Sequence, residues 1–157
     1  MYQHGISVQP MGIDSLLTFS IQRICIHVIT MILEEEMTDV TIGELKPQMK
    51  HFNLIFKVLE IGEIREVVSR YDKSTHNVSD VIVGDHTGTI IIPVWDEMID
   101  RFKVGKHYKV TNGFTNLYQK HLRLSIGRFG FLQEIDEHFD TILLSNNMSH
   151  DTHEMAT

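Results

Sequence analysis

Between Arg101 and Gln133 the chain holds seven basic residues, Arg101, Lys103, Lys106, Lys109, Lys120, Arg123 and Arg128, and no aspartate or glutamate. Asp100 and Glu134 bound the run on either side. Phe102, Tyr108, Phe114, Tyr118, Phe129 and Phe131 are interleaved with the cations, and Trp95 stands just upstream. Positive charge follows a phosphate backbone, and flat rings stack on unpaired bases. A surface that is merely solvated mixes signs, so 33 residues without one acid point to a groove for a single-stranded nucleic acid.

The elements that must position these residues read as all-β from residue 37 onward. Leu45-Lys46-Pro47 stops any helix and leads into a first strand over Asn53–Ile61, which can continue from Ile64 to Val68. Arg70–Asn77 is polar and reads as a loop. A second strand covers Val78–Val83, and Gly84-Asp85-His86-Thr87-Gly88 has the composition of a hairpin turn into a third strand, Thr89–Trp95. Asp96–Phe102 is a short helical or irregular crossover. The fourth strand is His107–Phe114, Thr115–Gln119 a second loop, and Lys120–Ile126 the fifth strand. Five short strands with one irregular insert between the third and fourth match a five-stranded Greek-key barrel of the OB type, over residues 37–135, with other small barrels open on pattern alone.

Strand alternation then sorts side chains into barrel interior and outer surface. Ile90, Ile92 and Val94 fill the barrel, which turns Trp95 outward beside Ile91. Leu122, Leu124 and Ile126 point in, so Arg123 shares the outer surface with Trp95. Tyr108 and Val110 point in as well; Phe114 follows them inward unless a bulge at Gly113 switches the alternation. Tyr118 falls in the loop between strands four and five, and Arg70, Tyr71 and Lys73 in the loop between strands one and two. These two loops flank the ligand face of OB barrels. Trp95, Phe114 and Tyr118 are therefore the expected stacking rings, and Lys120, Arg123 and Arg128 the expected phosphate contacts. Phe102, Phe129 and Phe131 are expected to pack in the core or at a barrel end.

The ends of the chain differ from its middle. The net charge is −7, yet residues 37–135 carry 13 basic and 12 acidic side chains; residues 1–36 contribute −3 and residues 136–157 contribute −5. Ser15–Leu33 is strongly apolar, but Gln22, Arg23 and His27 in its middle argue against a membrane span. No basic residues precede it and no small-residue cleavage site follows, so it makes a poor signal peptide. Met37 opens a segment that reads as a fresh start, and the expectation is that 1–36 is an upstream extension, the alternative being a partner-binding helix. Residues 136–157 contain five acids and no lysine or arginine, and the last dozen residues read as disordered. The lone Cys25 excludes an internal disulfide and fits a reducing compartment, so the expected location is the cytoplasm, with the nucleoid in a prokaryote. His150 and His153 form a close pair in a polar tail, which reads as solvated; no metal and no cofactor is expected.

Several pieces in order carry a family likeness: Leu45-Lys46-Pro47, Asn53-Leu54-Ile55-Phe56 with Val58-Leu59-Glu60, Val83-Gly84-Asp85-His86-Thr87-Gly88, Val94-Trp95-Asp96, Gly113-Phe114 and Gly127-Arg128. Through them residues 40–135 resemble the archaeal single-stranded DNA-binding proteins with a single OB fold, and the B subunit of the eukaryotic SOSS complex. The resemblance implies one OB fold that binds single-stranded DNA by aromatic stacking, and it places the aromatic positions on Trp95, Phe114 and Tyr118. It also supports an outward Phe114. Ser125 stands where the eukaryotic members have a further aromatic, and the short acidic tail lacks the glycine- and arginine-rich repeat frequent in archaeal members.

The function this predicts is non-enzymatic, largely sequence-independent binding of single-stranded DNA in replication, recombination or repair, with repair or replication proteins as further partners. Two alternatives stay open: a protein-interaction OB subunit that uses Trp95 and Ile91 as a partner surface, and an RNA-binding OB module. No nucleophile–base pair stands out, so an enzyme is the weakest reading.

Overall fold

The computed structural model describes residues 37–154 together with Ile24. The apolar run and the rest of the 1–36 extension otherwise lie outside the described residues. Among the described residues no helix is long and apolar enough to cross a membrane. Residues Met37–Thr157 form one compact unit.

Eight strands build this unit: β1 (Thr38–Val40), β2 (Lys50–Ile61), β3 (Arg65–Val68), β4 (Thr75–Asp85), β5 (Gly88–Trp95), β6 (His107–Tyr118), β7 (His121–Ser125) and β8 (Phe131–Ile135). Short 3-10 helices occupy Ile42–Glu44 and Asp96–Arg101. The strand order β2-β4-β5-β7-β6 closes through a β2–β6 pairing into a five-stranded barrel, the OB fold, with β1, β3 and β8 added outside the ring. All neighbours in the ring are antiparallel except β5 and β7, which are parallel.

Closure falls on β2, a strand of 12 residues that serves two neighbours. Lys50–Lys57 pairs with β6, and Lys57–Ile61 pairs with β4. One extra residue, Leu59, is inserted between Val58 and Glu60, and such a bulge bends a strand from one half of a barrel to the other. Alternation along β2 sends Phe52, Leu54, Phe56 and Val58 into the core. There they meet Val81 and Val83 from β4, Ile90, Ile92 and Val94 from β5, Tyr108 and Val110 from β6, and Leu122 and Leu124 from β7. The inward residues expected of strands three, four and five are thus all buried, apart from Ile126, which packs half-buried against the core. Phe56, Phe102 and Tyr108 form one ring cluster, with centroids 5.5–6.5 Å apart. Burial raises the Tyr108 phenol above its ordinary range; its hydroxyl donates to the Arg101 carbonyl at 3.0 Å and accepts from the Lys103 amide at 2.9 Å.

Several expected boundaries shift. The first strand does not run on to Val68. Gly62 interrupts it, donating to the Asp80 carbonyl at 2.9 Å in an approach so close that a Cβ there would lie 2.7 Å from that oxygen. Chain direction changes at that point, and Arg65–Val68 becomes a separate strand pairing with the start of β4. Thr115–Gln119 is not a loop: β6 continues through Tyr118, and Gln119-Lys120 alone turn the chain into β7. Both turn residues have positive φ, 51° and 69°, as a two-residue type I′ hairpin demands. Asn-Gly is the usual signal for that turn, and Gln-Lys gives none.

Of the last dozen residues, 146–154 are described and lie against the barrel, and 155–157 lie outside the described residues. Asn146 and Met148 exchange backbone hydrogen bonds with Thr89 at 2.8 Å each. The buried Ser149 hydroxyl donates to the Leu122 carbonyl at 2.6 Å and accepts from the Ile91 amide at 2.9 Å. His153 donates its amide to the Lys120 carbonyl at 2.8 Å. Residues 146–153 therefore bridge β5 and β7 beyond their one pairing at Ile91 and Arg123, satisfying backbone groups that would otherwise be left open.

Candidate nucleic-acid interface

The outer face of β5, β7 and β6 gathers most of the expected site. Beyond the bulge, Gly113 and Thr115 point inward on β6, so Phe114, Asn116 and Tyr118 face out. Across the ladder Phe114 lies opposite Ser125, Asn116 opposite Arg123 and Tyr118 opposite His121. Arg123 in turn lies level with Ile91 on β5, whose outward series ends at Trp95. At about 4.8 Å per strand and 3.4 Å per residue, Phe114 and Trp95, two strands and two residues apart, lie roughly 12 Å from each other, and Phe114 and Tyr118 about 14 Å apart along β6. Such spacings suit rings that receive separate bases of one strand.

The switch that turns Phe114 outward is real but sits one residue earlier than expected. Val110 pairs with Leu54 and Gly113 with Phe52, so β6 carries one extra residue between them. Asn112 has φ 59°. Facing it, β2 has its own irregularity at His51, with φ 58°, and His51 Nδ1 lies 3.1 Å from Asn112 Oδ1. Glycine at 113 is needed for space, not for φ: Phe52 fills the volume a side chain would take, 3.0 Å from the Cβ position. Gly127 does the same for Phe114, whose ring would lie 2.8 Å from a Cβ at that position.

Trp95 and Phe114 line a common cleft of about 470 Å³, with Arg128, Arg101, Met98 and Phe131. The indole is 45% exposed, and Tyr118 is 59% exposed. Tyr118 is not among the residues lining that cleft. It stands at the far end of the face beside the turn that carries Lys120. Lys120 is exposed, its ammonium 3.9 Å from Glu154, an exposed pair of small energetic weight. Arg123 is half-buried at the centre of the face. All six expected residues are thus accessible; five lie on the β5–β7–β6 face or its hairpin turn, and Arg128 lies on the turn after β7.

Two of the three phenylalanines assigned to packing are corrected. Phe102 is buried, but Phe129 is 82% and Phe131 59% exposed. Phe131 opens β8, where Leu132 takes the inward position, so parity turns Phe131 out. The expected strands end at Ile126, so their parity does not extend to Phe131. Arg101, which begins the acid-free run and is not among the expected site residues, also lines the cleft, its guanidinium held by the Leu132 carbonyl at 2.9 Å.

Asp96 fixes the backbone next to Trp95. Its carboxylate accepts from the Asn77 amide at 2.8 Å and pairs with His76 Nδ1 at 2.8 Å. The Asn77 hydrogen bond, then that of His76, holds the Asp96 carboxyl below the ordinary aspartate range. A carboxyl lowered on folding contributes stability that is fully present above its unfolded value and is lost as pH falls through its folded value. The stability difference between the wild type and Asp96→Ala is therefore expected to be largest near pH 7 and to shrink below about pH 4. Urea unfolding of both chains at pH 7 and pH 3, followed by Trp95 emission, measures it; a difference that grows on acidification contradicts the assignment.

Among the described residues no group of three or more His, Cys, Asp or Glu side chains is placed to hold a metal ion. A closed OB barrel carrying exposed rings and cations on one outer face defines a nucleic-acid-binding class of protein. Residues 45–134 match the model of a family described as single-stranded DNA binding protein Ssb-like, OB fold, and the chain belongs to that family. It is 29% identical to the single-stranded DNA binding protein Ssb of Saccharolobus solfataricus over 96 residues, 61% of this chain and 64% of that protein. The match thus spans just under two thirds of that relative's length. Among solved structures, a hypothetical protein from Arabidopsis thaliana superposes with a TM-score of 0.61 at 21% identity, covering 75% of this chain and 87% of that one. The second OB-fold domain of replication protein A from Methanococcus maripaludis gives 0.51 at 22% identity, covering 66% of this chain and all of that one. Both likenesses establish the fold.

Proposed function

We propose that this chain binds single-stranded DNA, largely without regard to sequence, and protects or presents exposed strands in replication, recombination or repair. Bases stack on Trp95, Phe114 and Tyr118, and Lys120, Arg123 and Arg128 neutralise phosphates. The observation that carries this reading is the outer β5–β7–β6 face, where exposed rings flank a central arginine and the lining of the Trp95–Phe114 cleft contains no acid. Family membership supports it, and among the described residues of the acidic tail none lines this cleft. Proteins of replication or repair are the proposed further partners.

Titration of the intact chain with oligothymidylate at several salt concentrations tests the proposal. Three neutralised phosphates give an expected slope of log K against log salt of about −2, and Arg123→Gln is expected to reduce it by about 0.7. Absent or salt-insensitive binding would turn the reading toward a protein-interaction subunit. Competition between DNA and RNA oligomers of matched sequence reads the preference between the two polymers.

A further inference from the structure

The Trp95–Phe114 cleft does not end at Phe114. A second cleft of about 300 Å³ opens on the other side of that ring, and the two share Phe114, Gly127, Arg128 and Gly130. Lys50, His51, Asn112, Gly113 and Phe129 complete the second one. Neither lining contains an aspartate or glutamate. Phe129 and Phe131 stand exposed on the segment between the clefts, large rings left mostly uncovered by the rest of the chain. The segment is a closed turn, with the Gly130 amide donating to the Gly127 carbonyl at 3.0 Å. The Asn112 side-chain amide, at the β6 bulge, reaches the Phe129 carbonyl at 3.4 Å. The Arg128 guanidinium lies 5.8 Å from the Phe129 ring centroid, near enough to attract the ring face and present its charge beside it.

We propose that Phe129 and Phe131 form a second aromatic station for the same single strand. The strand then runs from Tyr118 past Phe114 and Trp95 and continues across the 127–131 turn toward Lys50. This rests on the single-strand reading given above and extends its footprint. Three features select bases over a peptide as the occupant. The patch is continuous with the first cleft through a shared ring. Its rim is cationic, with Lys50 and Arg128 and no acid. Its apolar surface consists of flat rings, which accept any base by stacking.

The test compares the wild type with a Phe129→Ala/Phe131→Ala double variant, using oligothymidylates of increasing length and Trp95 quenching as the readout. Both rings are exposed, so the variant keeps the wild-type melting temperature. The expected result has two parts. Phe131 also lines the Trp95 cleft, so the shortest oligomer that quenches Trp95 is expected to bind the wild type and a Phe129→Ala single variant alike, whereas longer oligomers lose roughly tenfold in affinity in the double variant, and its site size contracts by about one or two nucleotides. A Phe129→Tyr/Phe131→Tyr variant, which keeps flat rings, retains wild-type binding. Titrations that coincide for wild type and alanine variant at every length overturn the second station and leave the first intact. So does a variant that binds DNA normally but loses self-association, which would assign the patch to a second copy of the chain. A wild type that quenches with no oligomer at all overturns the single-strand reading itself, and the second station with it.

Discussion

Trp95→Ala is expected to weaken oligothymidylate binding by about 5- to 150-fold, the equivalent of one stacked base at roughly 1–3 kcal/mol. The indole is only half covered by protein, so its removal opens no enclosed core cavity and the melting temperature should barely move. Phe114→Ala is expected to fall in the same range. The double variant should lose less than the sum of the two, because both rings line one cleft and hold neighbouring stretches of one strand. Tyr118→Ala is the informative contrast. Its ring stands about 14 Å along β6 from Phe114, and a short oligomer centred on Trp95 does not reach it. Its loss should therefore be invisible with the shortest ligands and appear as the oligomer lengthens. Fluorescence anisotropy with labelled oligomers of graded length, at one fixed salt concentration, measures all three. An unchanged affinity in Trp95→Ala would remove the β5 edge from the binding face.

Much of this site could be read from the sequence because strand parity needs only two facts, where a strand lies and which side is greasy. β5 supplies both without ambiguity: Ile90, Ile92 and Val94 name the inside, and Trp95 follows as outside. β7 is equally plain through Leu122 and Leu124. β6 resists the same treatment because a bulge breaks its parity, and the residue that carries the bulge, Asn112, adopts positive φ that asparagine tolerates without announcing. The neighbouring glycine is the more conspicuous signal, although its role is to make room for Phe52. The Gln119-Lys120 turn is illegible for a related reason. Two left-handed residues at a hairpin are normally betrayed by Asn or Gly; here the ladder from Phe114–Ser125 to Tyr118–His121 on one side of it imposes the conformation. β8 and the 146–153 segment escaped because neither is held by its own composition. They are ordered by backbone partners far away in sequence, Val110 and Thr111 for β8, Thr89 and Leu122 for the tail. Contacts of that kind leave no local periodicity to read.

The Gly84–Gly88 stretch was legible as a turn, but its larger role was not, and that role makes Asp85→Ala the strongest expected effect on stability. Asp85 is buried, and its carboxylate accepts from the Thr87 amide at 2.7 Å, the Thr87 hydroxyl at 2.5 Å and the Gly88 amide at 3.2 Å, closing the hairpin. Its other oxygen accepts from the amide of the fully buried Ile42 at 2.8 Å, at the start of the first 3-10 helix. Thr87 ties the next residue, its hydroxyl oxygen accepting from the Gly43 amide at 2.8 Å. One carboxylate thus joins the N-terminal segment to a hairpin more than 40 residues on. Removing it leaves the buried Ile42 and Gly88 amides and the half-buried Thr87 donors without their partner, at a cost of about 3 kcal/mol. For a domain of this size that is a drop of roughly 10 °C in melting temperature, and Asp85→Asn, which keeps one acceptor oxygen, should fall between. Asp85 and Trp95 stand at opposite ends of the β4–β5 hairpin. Asp85→Ala should therefore lower stability and leave the affinity of the folded fraction unchanged, the reverse of Trp95→Ala. Thermal melts and oligomer titrations of the two variants and of their combination check this. Additive effects in the combination mean that the anchor of the barrel and its binding face are energetically separate; a loss of affinity in Asp85→Ala at temperatures where it is fully folded would mean that the hairpin transmits strain to the site.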